Sequence, residues 1–249
     1  MSNLDDSVLA DRAAPAPADA KDVNMALLNY QGVLVYRADF DSLIGREFVT
    51  DVIIQFCVVQ YSSMLNCNDI RFLDASASIG VSFDPAFGKQ YDLDSFPLVL
   101  LPVSDSLNTD TGDGGNHWSL LVLDSASDPF CPRFVHHDSS GNANSCHAER
   151  YAKAFRQLLP GRFGDAILHE GPTPQQDNGY DCGLYVAAVA KAVLDWYTRP
   201  RQQRGTDWFT DVQEQVSVQS VSRLRADLRY LIKQLIQERE NKAGESGDE

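Results

Sequence analysis

The chain has 249 residues, of which 43% are hydrophobic and 22% charged, the balance of an ordinary soluble protein. Its 21 basic and 35 acidic residues leave a net charge of −14, which argues against a nucleic-acid partner and permits a basic protein partner. No apolar run reaches the roughly 18 residues that a membrane helix needs. No basic start leads into an apolar signal core either, so a cytoplasmic or nuclear protein that acts on no membrane is expected.

Residues 1–24 carry five Asp and the stretch AAPAPADA, which bury too little to repay ordering, and they read as a disordered acidic tail. Residues 25–240 read as one domain, followed by a polar tail over 241–249 (NKAGESGDE). The apolar run 48–62 (FVTDVIIQFCVVQYS) is a buried strand or a buried helix; its length favours helix and its β-branched content favours strand. LVLLPV (98–103), HWSLLVLD (117–124) and RFVHHD (133–138) are strands, the last two joined by a turn at Asp128-Pro129. Residues 148–159 form an amphipathic helix capped near Asn144 or Ser145, and 166–170 a short strand. A long apolar helix spans 182–198, and a C-terminal amphipathic helix spans 218–236. That helix either packs on the domain or binds a partner. Helices mixed with a central sheet, without strict alternation, give an α+β fold.

Five cysteines, Cys57, Cys67, Cys131, Cys146 and Cys182, show no CxxC pair and no even framework, as expected of a reducing compartment. A chain this long also needs no metal or disulfide to fold. The segment QDNGYDCGLYV (176–186) puts Cys182 where polar turn residues run into an apolar helix. A helix start favours thiolate, because its unpaired amides and dipole point at the sulfur. Gly183 leaves room for a substrate backbone. The alternative for Cys182 is a small buried hydrophobe, as assigned to the other four cysteines.

A thiolate nucleophile requires a base and a group to orient that base. His117 stands at the mouth of a strand after the loop TGDGGN. Asp138 ends the neighbouring strand and can reach it, or can simply start the turn DSSGN. His136 and His137 are adjacent on a strand, so one is expected inside and one in solvent. The Cys182 amide and the Gln176 side chain are candidate oxyanion donors, unless Gln176 is an ordinary loop residue. Cysteine comes last in this order, unlike papain, but such triads are defined by geometry. Zinc at Cys131, His136, His137, Cys146 and His147 is disfavoured by their spacing, and no metal or cofactor is expected.

Three blocks, GGNHWSLLV (114–122), HHDSSGNANSCHAERYAKAF (136–155) and QQDNGYDCGLYV (175–186), resemble the motifs of the ubiquitin-like-specific cysteine proteases. This is the sentrin/SUMO protease clan, and the deneddylase branch is the most similar. The resemblance spans residues 25–235 and implies a papain-like protease fold with a central mixed sheet flanked by helices. It implies Cys182 as nucleophile, His117 as base and acid, Asp138 as its orienter and Gln176 as oxyanion donor. Trp118 matches the tryptophan that roofs a narrow tunnel over the modifier's terminal Gly-Gly. FVTD (48–51) lines up with the family's Trp-Leu-Asn-Asp, with Phe48 and Thr50 as departures and Asp51 as a modifier contact. Asn116 joins Trp118, Asp51 and Phe48 as a substrate-binding candidate, and loop 104–115 matches a substrate-gripping element. The implied activity is thiol isopeptidase action after the Gly-Gly of a Nedd-type modifier. It covers both precursor maturation and release from targets such as cullins, with the enzyme expected to be a monomer. A SUMO- or ubiquitin-directed isopeptidase, a silent modifier-binding module and a triad acyltransferase are the alternatives.

Overall fold

The computed structural model describes residues 25–106 and 115–245. The readings of the 1–24 tail, of most of loop 104–115 and of the last four residues fall outside these.

The chain opens with a hairpin that the sequence reading missed, β1 (Ala26–Tyr30) paired antiparallel with β2 (Val33–Tyr36). Gln31 (φ 50) and Gly32 (φ 90) turn it, two left-handed residues as a tight hairpin with matching twist requires. A short helix, α1 (Arg37–Ser42), leads to an irregular segment and then to α2 (Asp51–Met64). The ambiguous apolar run is therefore a helix. Ile53, Ile54, Phe56, Cys57, Val58 and Tyr61 bury its inner face, and packing of that face overrides the strand preference of its β-branched residues. Thr50 precedes α2 but does not cap it; its hydroxyl donates to Asp39 Oδ1 at 2.8 Å.

Next come β3 (Ile70–Phe72) and α3 (Ala75–Phe83), the latter capped by Asp74, whose Oδ1 accepts the Ala77 N–H at 2.8 Å. Both escaped the sequence reading. Strands β4 (Leu98–Ser104), β5 (Trp118–Asp124), β6 (Arg133–His137) and β7 (Leu168–Glu170) complete a five-stranded sheet in the order β3-β4-β5-β6-β7. The inner pairs β4–β5 and β5–β6 are antiparallel and the outer pairs are parallel.

The sheet is covered on both faces, which is why β4 reads as an unbroken apolar run. Leu98, Leu100, Leu120, Val122 and Val135 enter one core, while Val99, Leu101, Leu121, Leu123 and Phe134 enter the other. That is the period-two alternation of a strand. The second core is closed by α3 and by α4 (Ser145–Leu158), which begins three residues earlier than expected. A single turn, α5 (Pro160–Phe163), leads to β7. The first core is closed by α2, α6 (Cys182–Thr198), α7 (Phe209–Gln215) and α8 (Val218–Glu245).

Helix α8 continues past residue 236 into the segment read as a tail, through residues with good helix propensity such as Gln237, Glu238 and Arg239. Its stripe packs inward: Val221, Leu228 and Ile232 are buried, with Leu224, Leu231, Leu235 and Ile236 against the same core. The solvent position expected for one of His136 and His137 is overturned. Both are buried, because the core covers one face of β6 and its neighbours the other. Of the four other cysteines read as structural, Cys57 and Cys67 are buried, but Cys131 and Cys146 are exposed.

Candidate active site

Leu120 pairs with His137 across β5 and β6, so the residue before β5 and the residue after β6 meet at one edge of the sheet. These are His117 and Asp138. His117 Nε2 lies 2.7 Å from Asp138 Oδ1. The Cys182 side chain lies near enough to the ring to favour its charged form, and with Nε2 committed to Asp138 it is Nδ1 that remains for the thiol. Cys182 is the first residue of α6, and its side chain is buried. The first bonds of that helix run from the Leu184 and Tyr185 N–H groups to Asp181 O. The amides of Cys182 and Gly183 thus lie ahead of the ladder, where a helix carries its partial positive charge.

Burial of His117 by itself disfavours the imidazolium. Its hydrogen bond to Asp138 and the nearby Cys182 side chain outweigh that and push its pKa up to about 9. Burial also opposes ionisation of Asp138, but bonds from His117, from the Asn144 N–H and from the Ser140 N–H (each 2.8 Å for the two amides) hold it below the usual carboxylate value. The carboxylate is thus an anion with three donors. It fixes the ring and favours its protonated form, and a protonated ring in turn favours thiolate.

Gln176 lies beside this pair. Its N–H donates to Ser139 O at 2.9 Å, its Oε1 accepts from Ser139 Oγ at 2.7 Å, and its Nε2 donates to Asn178 O at 2.6 Å. An amide nitrogen carries two hydrogens, so one remains for a further acceptor. Trp118 starts β5 half-buried beside His117, and Phe48 is exposed. Asn116 is exposed, and its N–H donates to Asp105 Oδ1 at 2.7 Å. Asp51 is half-buried at the start of α2. Gly183 departs from its expected role. A Cβ there would meet Val49 Cγ2 at 2.5 Å, so the missing side chain admits the packing of Val49 rather than a substrate.

Two positioning residues had no sequence signal of their own. Asp105 Oδ1 accepts the His117 N–H at 3.1 Å as well as that of Asn116. Asn144 precedes α4 but does not cap it; its Nδ2 reaches His117 O, Val103 O and Ser119 Oγ. Behind it runs a chain from the buried interior to the surface, in which His136 bonds Ser119 Oγ (2.9 Å) and the exposed Glu170 Oε2 (2.7 Å). His137 is engaged elsewhere, accepting from Trp208 Nε1 at 2.8 Å. Among the described residues no group of three or more His, Cys, Asp or Glu side chains could hold a metal ion.

A cysteine at a helix start, a histidine beside it and a buried carboxylate bonded to the histidine define a thiol-protease type of site on an α+β fold. Residues 80–203 match the model of the Ulp1 protease family, C-terminal catalytic domain. The chain is 34% identical over 220 residues to NEDD8-specific protease 1 of Arabidopsis thaliana, covering 85% of this chain and 94% of that protein. It is 30% identical over 187 residues to human Sentrin-specific protease 8, covering 71% and 85%. Among solved structures it resembles a de-sumoylating protease (TM-score 0.66, 16% identity, 86% and 91% covered). It also resembles the Ulp1 protease domain in complex with Smt3 (TM-score 0.61, 18% identity, 85% and 88% covered). These two likenesses establish the fold. The chain belongs to the Ulp1 family of cysteine proteases.

Proposed function

We propose that the chain is an isopeptidase of a Nedd-type modifier, with Cys182 as nucleophile, His117 as base and acid, and Asp138 as orienter. The observation that carries this reading is the His117 ring held by Asp138 at 2.7 Å, with Cys182 beside it at the start of α6. The modifier assignment is supported by similarity to a NEDD8-specific protease along nearly that protein's whole length.

The Cys182 thiolate attacks the carbonyl carbon of the modifier's terminal glycine. The resulting oxyanion takes hydrogen bonds from the Cys182 N–H and from the second hydrogen of Gln176 Nε2. His117 gives its proton to the departing lysine amine, or to the peptide nitrogen of a precursor. Water, deprotonated by His117, then opens the thioester and restores the thiol. Trp118 roofs the glycine tunnel, and Phe48, Asp51 and Asn116 contact the modifier. Five free cysteines suit a reducing compartment, and we place the enzyme in cytoplasm or nucleus.

The test is a panel of Nedd8, SUMO and ubiquitin probes, each carrying a C-terminal vinyl sulfone. The Nedd8 probe is expected to form an adduct on Cys182, lost in Cys182→Ala, which still binds unreactive Nedd8. Preferential labelling by SUMO or ubiquitin would overturn the modifier, and labelling of Cys182→Ala would overturn the nucleophile.

A further inference from the structure

One residue of the C-terminal helix breaks the apolar stripe from within. Arg225 on α8 is only 8% exposed. Its Nε and Nη2 donate to Asp181 Oδ1 at 3.0 and 2.7 Å. Its Nη1 donates to Ser42 O at 2.9 Å and its Nη2 also to Glu47 O at 3.0 Å. The guanidinium stacks over Tyr180, 5.5 Å from the ring centre. One side chain thus ties α8 to two parts of the molecule that are remote from it in sequence: the residue before Cys182, and the 42–47 stretch that runs from the end of α1 toward Phe48.

A buried ion pair gains little stability over apolar packing, because desolvation offsets attraction; what it supplies is fixed geometry. Only a planar fork with five donors reaches these three acceptors at once. The segment it holds lies directly on the start of α6, since Val49 fills the space beside Gly183. Asp181 is itself a buried carboxylate one residue from the thiol, and Arg225 is the cation bonded to it.

We propose that Arg225 is a positioning residue that fastens the 43–50 segment to the nucleophile's helix through Asp181. It touches neither substrate nor thiol. The inference rests on the reading of Cys182 as nucleophile and of Phe48 and Asp51 as modifier contacts. Loss of the fork loosens that segment and raises KM, with little change in kcat.

The experiment measures kcat and KM separately in the full-length chain on a Nedd8–aminomethylcoumarin conjugate. Arg225→Lys keeps the charge without the fork and should lose about 10²-fold in kcat/KM, mostly through KM. The pair Arg225→Met with Asp181→Asn leaves no buried charge unpaired and should likewise raise KM with little change in kcat. An unchanged KM in Arg225→Lys and in the pair overturns the fastening role, and so does a loss carried by kcat in both. Failure of the underlying reading looks different, because alkylation of Cys182 by iodoacetamide in the parent chain would then leave cleavage intact.

Discussion

His117 commits Nε2 to Asp138 at 2.7 Å, so the carboxylate decides that Nδ1 is the nitrogen left for Cys182. Asp138→Asn preserves shape but removes the charge and lets the ring turn over. Turnover of a Nedd8–aminomethylcoumarin conjugate is expected to fall by about 10²–10⁴ with little change in KM. A fall in KM-dependent binding alone would assign Asp138 to the turn instead.

The raised pKa of His117 sets an alkaline limit. The protonated ring is the form its partners hold, so kcat/KM should decline as pH rises through about 9. The linkage sign agrees: the ordinary value is 6.5 and the folded value about 9. The stability this group contributes is complete below pH 6.5 and gone above 9. In Asp138→Asn the alkaline limb of the rate profile should move toward 6.5.

With Gln176 as the proposed oxyanion donor, Gln176→Ala is expected to lower kcat by about 10²–10³; an unchanged kcat returns Gln176 to the loop. Binding of unreactive Nedd8, measured by calorimetry, should stay within twofold, because the lost bond forms fully only with the tetrahedral oxyanion.

His137 supplies an acid-side prediction. Burial, then the neighbouring His136 and Arg133, push its pKa down to about 3, so it stays neutral and accepts the Trp208 bond. The unfolded chain takes up that proton near 6.5, so this contribution is present above 6.5 and declines as pH falls toward 3. Trp208→Phe orphans a buried ring nitrogen and should cost about 1–3 kcal/mol in denaturant unfolding at pH 7.

Gly183 tests packing against propensity. Alanine in a helix interior is favoured over glycine by about 1 kcal/mol. Here its Cβ would sit 2.5 Å from Val49 Cγ2 in a buried contact, and overpacking costs about 1–3 kcal/mol. Gly183→Ala should therefore lower the thermal midpoint, and adding Val49→Ala should restore part of the loss.

Elements that bury a whole face were legible in the sequence. The runs that became β4, β5 and α6 carry enough apolar residues to be read without context. The run that became α2 held conflicting signals of length and branching, which the packing of Phe56 and Ile53 resolves. Short elements such as β1 and β2 were missed, because a four-residue strand with Leu34 and Tyr36 exposed alternates over too little chain to stand out. The candidate site was legible because His117, Asp138, Gln176 and Cys182 each sit in a recognisable local motif. Asn144, Asp105 and Arg225 were not, since their roles exist only in bonds to residues far along the chain. The 44 positions between Asp181 and Arg225 leave no periodic trace.

The antiparallel pairing of β5 and β6 separates two kinds of freedom. His117 and Asp138 share one edge, while the connecting turn 125–132 lies at the opposite edge. Seven residues of β5 put roughly 20 Å between them. Phe130, at the tip of that turn, is 98% exposed. Sequence can therefore change or lengthen there without disturbing the dyad, and an affinity tag or fluorophore carried on that turn would report on the enzyme while leaving its chemistry untouched.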